Sequence, residues 1–177
     1  LSCLYRKSIT IPALAEMPVE ITEFGSQDPA AAPGVLVRSY CQMALAGVSR
    51  AVWYALNRRG DGYVPLIGPD LGVTPAGQAY RVVQGRFAGV AVEDISPDPF
   101  TYACRFGGAG VILWGAERTL EVAPGVRVLD PAGAAVAPPF RLSETEPLIL
   151  TGDGPLVPGE DFTLAPQRIV ADSYHQF

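Results

Sequence analysis

Pro18-Val19-Glu20-Ile21-Thr22-Glu23-Phe24-Gly25 is the stretch on which the reading of this 177-residue chain turns. It is rich in β-branched residues and closes on an acid followed, two residues on, by a glycine, so it reads as a strand. Side chains alternate along a strand, which puts Val19, Ile21 and Glu23 on one face and Glu20, Thr22 and Phe24 on the other. Two apolar residues followed by a carboxylate on one face describe a buried strand that delivers an acid at its C-terminal end. The plainer alternative is a strand that ends in an exposed acid.

Outward from Gly25, Ser26-Gln27-Asp28-Pro29 has turn chemistry, with Asp able to cap a helix and Pro suited to its first position. From about 33 to 46, Leu36, Tyr40, Met43 and Ala44 recur at helical spacing and form one apolar face. Gly47 is placed to end that helix in the left-handed conformation. Ala51-Val52-Trp53-Tyr54-Ala55-Leu56 is apolar on both faces, as a parallel strand covered on both sides would be. A long connection without period, Asn57 to Val73, follows, of a length often tied to function. Thr74-Pro75 then reads as N-cap and first residue of a helix that stops near Gly85. Strand, helix, strand and helix make two consecutive β/α units, and in a (β/α)8 barrel the C-terminal strand ends are where chemistry is placed.

Beyond Phe87 the period changes. Short strands are expected at 90–92, 101–106, 111–114, 119–122, 126–129, 140–142 and 148–150, separated by turn residues such as Gly107-Gly108 and Pro124-Gly125. That spacing indicates an antiparallel sandwich or small barrel. The fold class is therefore α/β followed by all-β. The expected division is 1–86 for the β/α portion and 87–152 for the antiparallel domain, with 153–177 a tail or the start of a further module. Residues 1–17 carry a weak helical pattern broken by Pro12, and one more strand is expected at 168–171.

Composition narrows the chemistry. Thirteen basic and eighteen acidic side chains, with Lys7 the sole lysine, leave a net charge of −5. No basic stripe is present, which argues against nucleic acid. No apolar run reaches the roughly 18 residues needed to span a bilayer. The three cysteines, Cys3, Cys41 and Cys104, are odd in number and far apart, and are expected to be buried or idle thiols. With one histidine, His175, near the end, neither a zinc site nor a Cys/His pair is expected, so catalysis must rest on carboxylates, without a cofactor.

Thr22-Glu23-Phe24-Gly25, then a helix, a strand with Trp53, a long loop, Thr74–Tyr80 and a β-domain, resembles the last quarter of a retaining (β/α)8 glycoside hydrolase. The likeness is to the large clan of cellulase-like and xylosidase-like enzymes, and it spans about Pro18 to Leu150. It implies that residues 1–86 are the last two β/α units of a TIM barrel and that 87–152 is a C-terminal β-sandwich. It implies Glu23 as nucleophile and Trp53 as the aromatic floor beneath the sugar, with the two side chains facing each other and a carbohydrate as substrate. The alternative for Trp53 is a core aromatic. Tyr54 and Tyr40 read as packing, and Arg58, Arg59 and Asp61 as loop charges within reach of substrate. Glu20 is unusual for the helix-side face and calls for an arginine partner or an exposed strand end.

Retaining hydrolysis needs a second carboxyl about 5 Å from the first. In the resembled clan it comes from an Asn-Glu pair on the fourth strand, and the sole asparagine here is Asn57. The chain is therefore expected to be a C-terminal fragment of a longer enzyme, inactive alone. Residues 1–86 are expected to aggregate in isolation, and 87–152 to fold by themselves. The competing reading is a non-catalytic carbohydrate-binding or structural module, with Trp114, Tyr102 and Phe140 as a sugar platform. Location and oligomeric state stay open, with an extracellular or periplasmic setting favoured.

Overall fold

The computed structural model describes residues 17–166. The expected helical pattern in the first residues, the strand at 168–171 and His175 lie outside or largely outside them.

Strand β1 (Val19–Phe24) pairs in parallel with β2 (Val48–Trp53), and helix α1 (Ala32–Leu45) crosses between them. The turn before α1 is tied by Asp28, whose Oδ1 accepts from the N–H of Ala30 at 2.9 Å. Pro33 occupies the first turn of α1, and Leu36, Val37 and Cys41 fall on its buried face. Gly47, at φ 75°, stops the helix as its sequence position demands. Strand β2 starts three residues before its expected first residue and stops at Trp53. The polar pair Ser49 and Arg50 is held by β1, through Ser49 Oγ to the Val19 carbonyl (2.9 Å) and Arg50 to Glu20 (2.7 Å). The arginine partner that Glu20 called for is thus Arg50, at the exposed start of the strands.

After Trp53 the chain turns from β1 to the long loop, where Leu66 N–H bonds the Ala55 carbonyl at 3.0 Å. Helix α2 (Pro75–Val82) opens on Thr74, whose hydroxyl accepts from Gly77 N–H at 3.1 Å. Gly77 is obligatory, because a Cβ there would run into the Leu66 carbonyl. The last turn widens to a π-helical one over Val83–Phe87, closed by Ala88 N–H to the Val83 carbonyl. That geometry buries Val83 and Phe87 together.

The remaining strands are β3 (Val92–Asp94), β4 (Thr101–Phe106), β5 (Gly110–Gly115), β6 (Thr119–Val122), β7 (Arg127–Leu129), β8 (Phe140–Arg141), β9 (Leu148–Thr151) and β10 (Phe162–Leu164). They form two antiparallel sheets, in the orders β3-β4-β5-β9-β7 and β10-β6-β8. Strand β10 lies past the boundary drawn at 152, in the stretch expected to be tail, yet it pairs with β6.

The five-stranded sheet is covered on both sides. Ala103, Val111, Leu113, Leu148 and Leu150 share a core with Leu120 and Phe162 of the other sheet. Cys104, Phe106, Ile112, Trp114 and Ile149 share a second core with Leu36, Val37 and Cys41 of α1 and with Val83 and Phe87. Central β5 is consequently apolar without alternation. Phe87 meets Phe106 at 4.9 Å between ring centres, and Tyr40 stacks on the same ring at 5.7 Å. Cys41 and Cys104 correct the expectation of idle thiols. They form a disulfide, with Cα atoms 6.1 Å apart, that joins α1 to β4 across 63 residues of sequence. The tertiary packing of helix on sheet brings them together, which an odd count and wide spacing concealed.

Candidate functional site

The site is built at the C-terminal ends of β1 and β2. Glu23 is the penultimate residue of β1 and is exposed. Phe24 beside it turns to the helix side and packs against the core. Because Phe24 stands opposite Trp53 in the register, Trp53 takes that same side. The two rings meet edge to face at 5.2 Å, and the indole N–H donates to the Val64 carbonyl at 3.0 Å. Trp53 is only 4% exposed. Glu23, exposed, and Trp53, buried against Phe24, are therefore not the facing pair that was expected, and Trp53 is a core aromatic.

Tyr54, expected to be packing, holds the place beside Glu23. Its N–H donates to the Phe24 carbonyl at 2.7 Å, carrying the β1–β2 pairing one residue past the strand. Its ring stands edge-on to Tyr63, with centroids 5.4 Å apart. Its phenol donates to Asp61 Oδ2, and Asp61 Oδ1 accepts the Tyr63 N–H at 3.2 Å. That hydrogen bond, then burial, then the Asp61 charge raise the Tyr54 phenol above its ordinary value, and the charge of Glu23 adds in the same direction. The same bond lowers the Asp61 carboxyl; burial opposes it, while the Tyr63 N–H and the Arg59 charge assist. Gly25 lets the loop close down, since a Cβ there would collide with the Tyr54 carbonyl and crowd the Tyr63 ring.

The structure thus brings together Glu23, Tyr54, Asp61 and Tyr63: a carboxylate next to two aromatic rings on an open surface. Strand alternation held the signal for Tyr54, because neighbours in a strand face opposite ways and Phe24 and Trp53 are both bulky apolar residues suited to the helix side. Val19 and Val52 remain exposed on the two strands, Val52 on the side of β2 away from Trp53. Among the described residues no cluster of three or more His, Cys, Asp or Glu is placed to hold a metal, and no helix is long and apolar enough to cross a membrane.

No family model and no curated protein matches the sequence. Among solved structures the chain is similar to a family 39 glycoside hydrolase from the gut symbiont Bacteroides cellulosilyticus WH2, with a TM-score of 0.61 at 20% identity. The match covers 76% of this chain and 34% of that one, so the chain spans about a third of the enzyme's length. A mixed α/β architecture of the glycoside hydrolase kind is thereby shared with part of that enzyme.

Proposed function

We infer that this chain is the C-terminal part of a retaining glycoside hydrolase, comprising the last two β/α units of a (β/α)8 barrel and a C-terminal β-sandwich. The observation that carries the reading is an exposed Glu23 at the C-terminal end of a parallel strand, beside the Tyr54 phenol. In a barrel that end of the strands is the catalytic mouth. The exposed Val52, on the side of β2 away from Trp53, supports the same arrangement, since an apolar residue on an uncovered sheet face calls for a covering layer. Further parallel strands would supply it.

In this mechanism a Glu23 oxygen attacks the anomeric carbon as the glycosidic C–O bond breaks, and the leaving oxygen takes a proton from a second carboxylic acid. That acid, now a carboxylate, removes a proton from water, which displaces Glu23 and returns a sugar of unchanged anomeric configuration. The second carboxyl is assigned to the part of the enzyme outside this chain. The aromatic role expected of Trp53 passes to Tyr54, whose ring and Tyr63 offer the apolar C–H face of a sugar a contact surface. Trp53 supports Tyr54 from beneath, through Phe24 and Val64.

A mechanism-based 2-fluoroglycoside applied to the longer protein that contains this chain tests the assignment. Mass spectrometry of its peptides is expected to find the sugar on Glu23. Stoichiometric labelling of any other carboxylate overturns it. The chain by itself is expected to release no product.

A further inference from the structure

A groove lies where the last turn of α1 meets the β3–β4 edge of the five-stranded sheet. Strand β4 carries Tyr102, Cys104 and Phe106 on its helix-facing side. The last turn of α1 and the disulfide cover Cys104, and Tyr40 of α1 stacks on Phe106. Tyr102 extends past that cover and is 39% exposed. Its ring lies parallel to Trp114 on β5, with centroids 5.1 Å apart and planes 12° from parallel. Trp114 is buried, so it fixes the orientation of the Tyr102 ring from one side. In the sheet β4 lies between β5 and β3, so the other ring face looks towards β3. Just past β3, Ser96 borders the same groove as Tyr102.

The space between that ring face, the β3 edge and the end of α1 is a groove of about 320 Å³, bordered also by Asp98, Gln42 and Leu45. Its size matches the lower end of small-ligand sites, roughly 300–1,000 Å³. Its polar groups are held in place. Ser96 Oγ accepts the Ala103 N–H at 3.0 Å, which leaves its proton free to donate outward. Asp94 Oδ1 accepts the Ser96 N–H at 3.0 Å, which leaves its second oxygen as an acceptor. Asp98 is neutralised by the buried Arg118 at 2.6 Å, so the groove carries one uncompensated carboxylate.

We propose that this groove is a carbohydrate-binding site separate from the Glu23 site, taking one or two neutral pyranose units of an oligosaccharide. A flat aromatic face fits the C–H face of a pyranose, and fixed acceptors with a hydroxyl and an amide fit its hydroxyl groups. Among the described residues no basic side chain lines it to favour an anion. The choice of saccharide as ligand rests on the glycosidase reading; the place does not.

The test is an amide ¹H–¹⁵N titration of the full chain with cellotetraose, xylotetraose and mannotetraose. At least one is expected to give saturable shifts at residues 94–104 and 42–45. Tyr102→Ala is expected to weaken that binding about tenfold, by loss of the stacking face. Asp94→Asn, which keeps shape and fold, is expected to weaken it several-fold, while Glu23→Gln leaves it unchanged. Shifts confined to residues 23–25 and 54–63, lost in Tyr54→Ala and kept in Tyr102→Ala, overturn the second site and leave the glycosidase reading standing. No saturable shift with any of the three sugars overturns the groove, while the labelling of Glu23 in the longer protein judges the catalytic reading separately.

Discussion

At the scale of single residues, the site depends on which of two adjacent aromatics faces the acid. Tyr54 does so because Trp53 is drawn to Phe24 and the Val64 carbonyl, while Tyr54, one residue past β2, is held by Asp61. The Tyr54–Asp61 hydrogen bond then holds the loop tip against the strand ends. It lowers the Asp61 carboxyl from its ordinary value of 3.8. A depressed carboxyl contributes stability that is present above the ordinary pKa and is lost as pH falls through the folded one. Tyr54→Phe is expected to raise the Asp61 titration towards its ordinary value and to remove that acid-side contribution. Carboxyl-carbon NMR titration checks it; a midpoint identical in both proteins refutes the bond's role.

Among the elements, α1 is the piece that serves both halves of the chain. One end packs into the loop before β9, where Gly34 fits only because it lacks a Cβ that would meet the Thr145 carbonyl. Arg38 reaches the Glu144 carbonyl at 2.8 Å from the same helix. Near its other end Cys41 is bonded to Cys104. A cross-link that closes a loop of this length is worth about 4 kcal/mol in the chain-entropy account. In the unreduced, denatured protein Cys41 and Cys104 are expected to stay unreactive towards thiol reagents until a reductant is added. The Cys41→Ala, Cys104→Ala protein is expected to unfold at lower denaturant by about that free energy. Reaction of both before reduction would remove the cross-link from the account.

For the whole molecule, the consequence is a core that crosses the boundary drawn at 86/87. Phe106, Ile112, Trp114 and Ile149 share their core with residues of α1 and of the π-helical turn. We therefore expect a chain cut at that point to yield two pieces that each expose apolar surface, instead of a self-sufficient 87–152 piece. Amide exchange on the separate pieces checks this. Protection of β4 and β5 in the isolated β-portion equal to that in the full chain would show that the sheets stand without the helices. Such a shared core also gives the β-portion a plain structural role, which is to back the helix layer behind Glu23.

Much of this was legible from local order. The β-branched run at 19–24, the 3.6-residue period of α1, the glycine at 47 and the Thr74-Pro75 start each act within a few residues, so the sequence alone determines them. Most strands after 87 fall within a residue or two of their expected places, because turn residues bound them on both sides. Strand β10 escaped because only Phe162, Thr163 and Leu164 mark it among loop residues, and its reason for being extended is the partner strand β6. The Cys41–Cys104 bond, the burial of Trp53 and the exposure of Tyr54 are of the same kind. They depend on which surfaces meet across tens of residues, and packing of α1 between the strand pair and the sheet decides that, not any local preference.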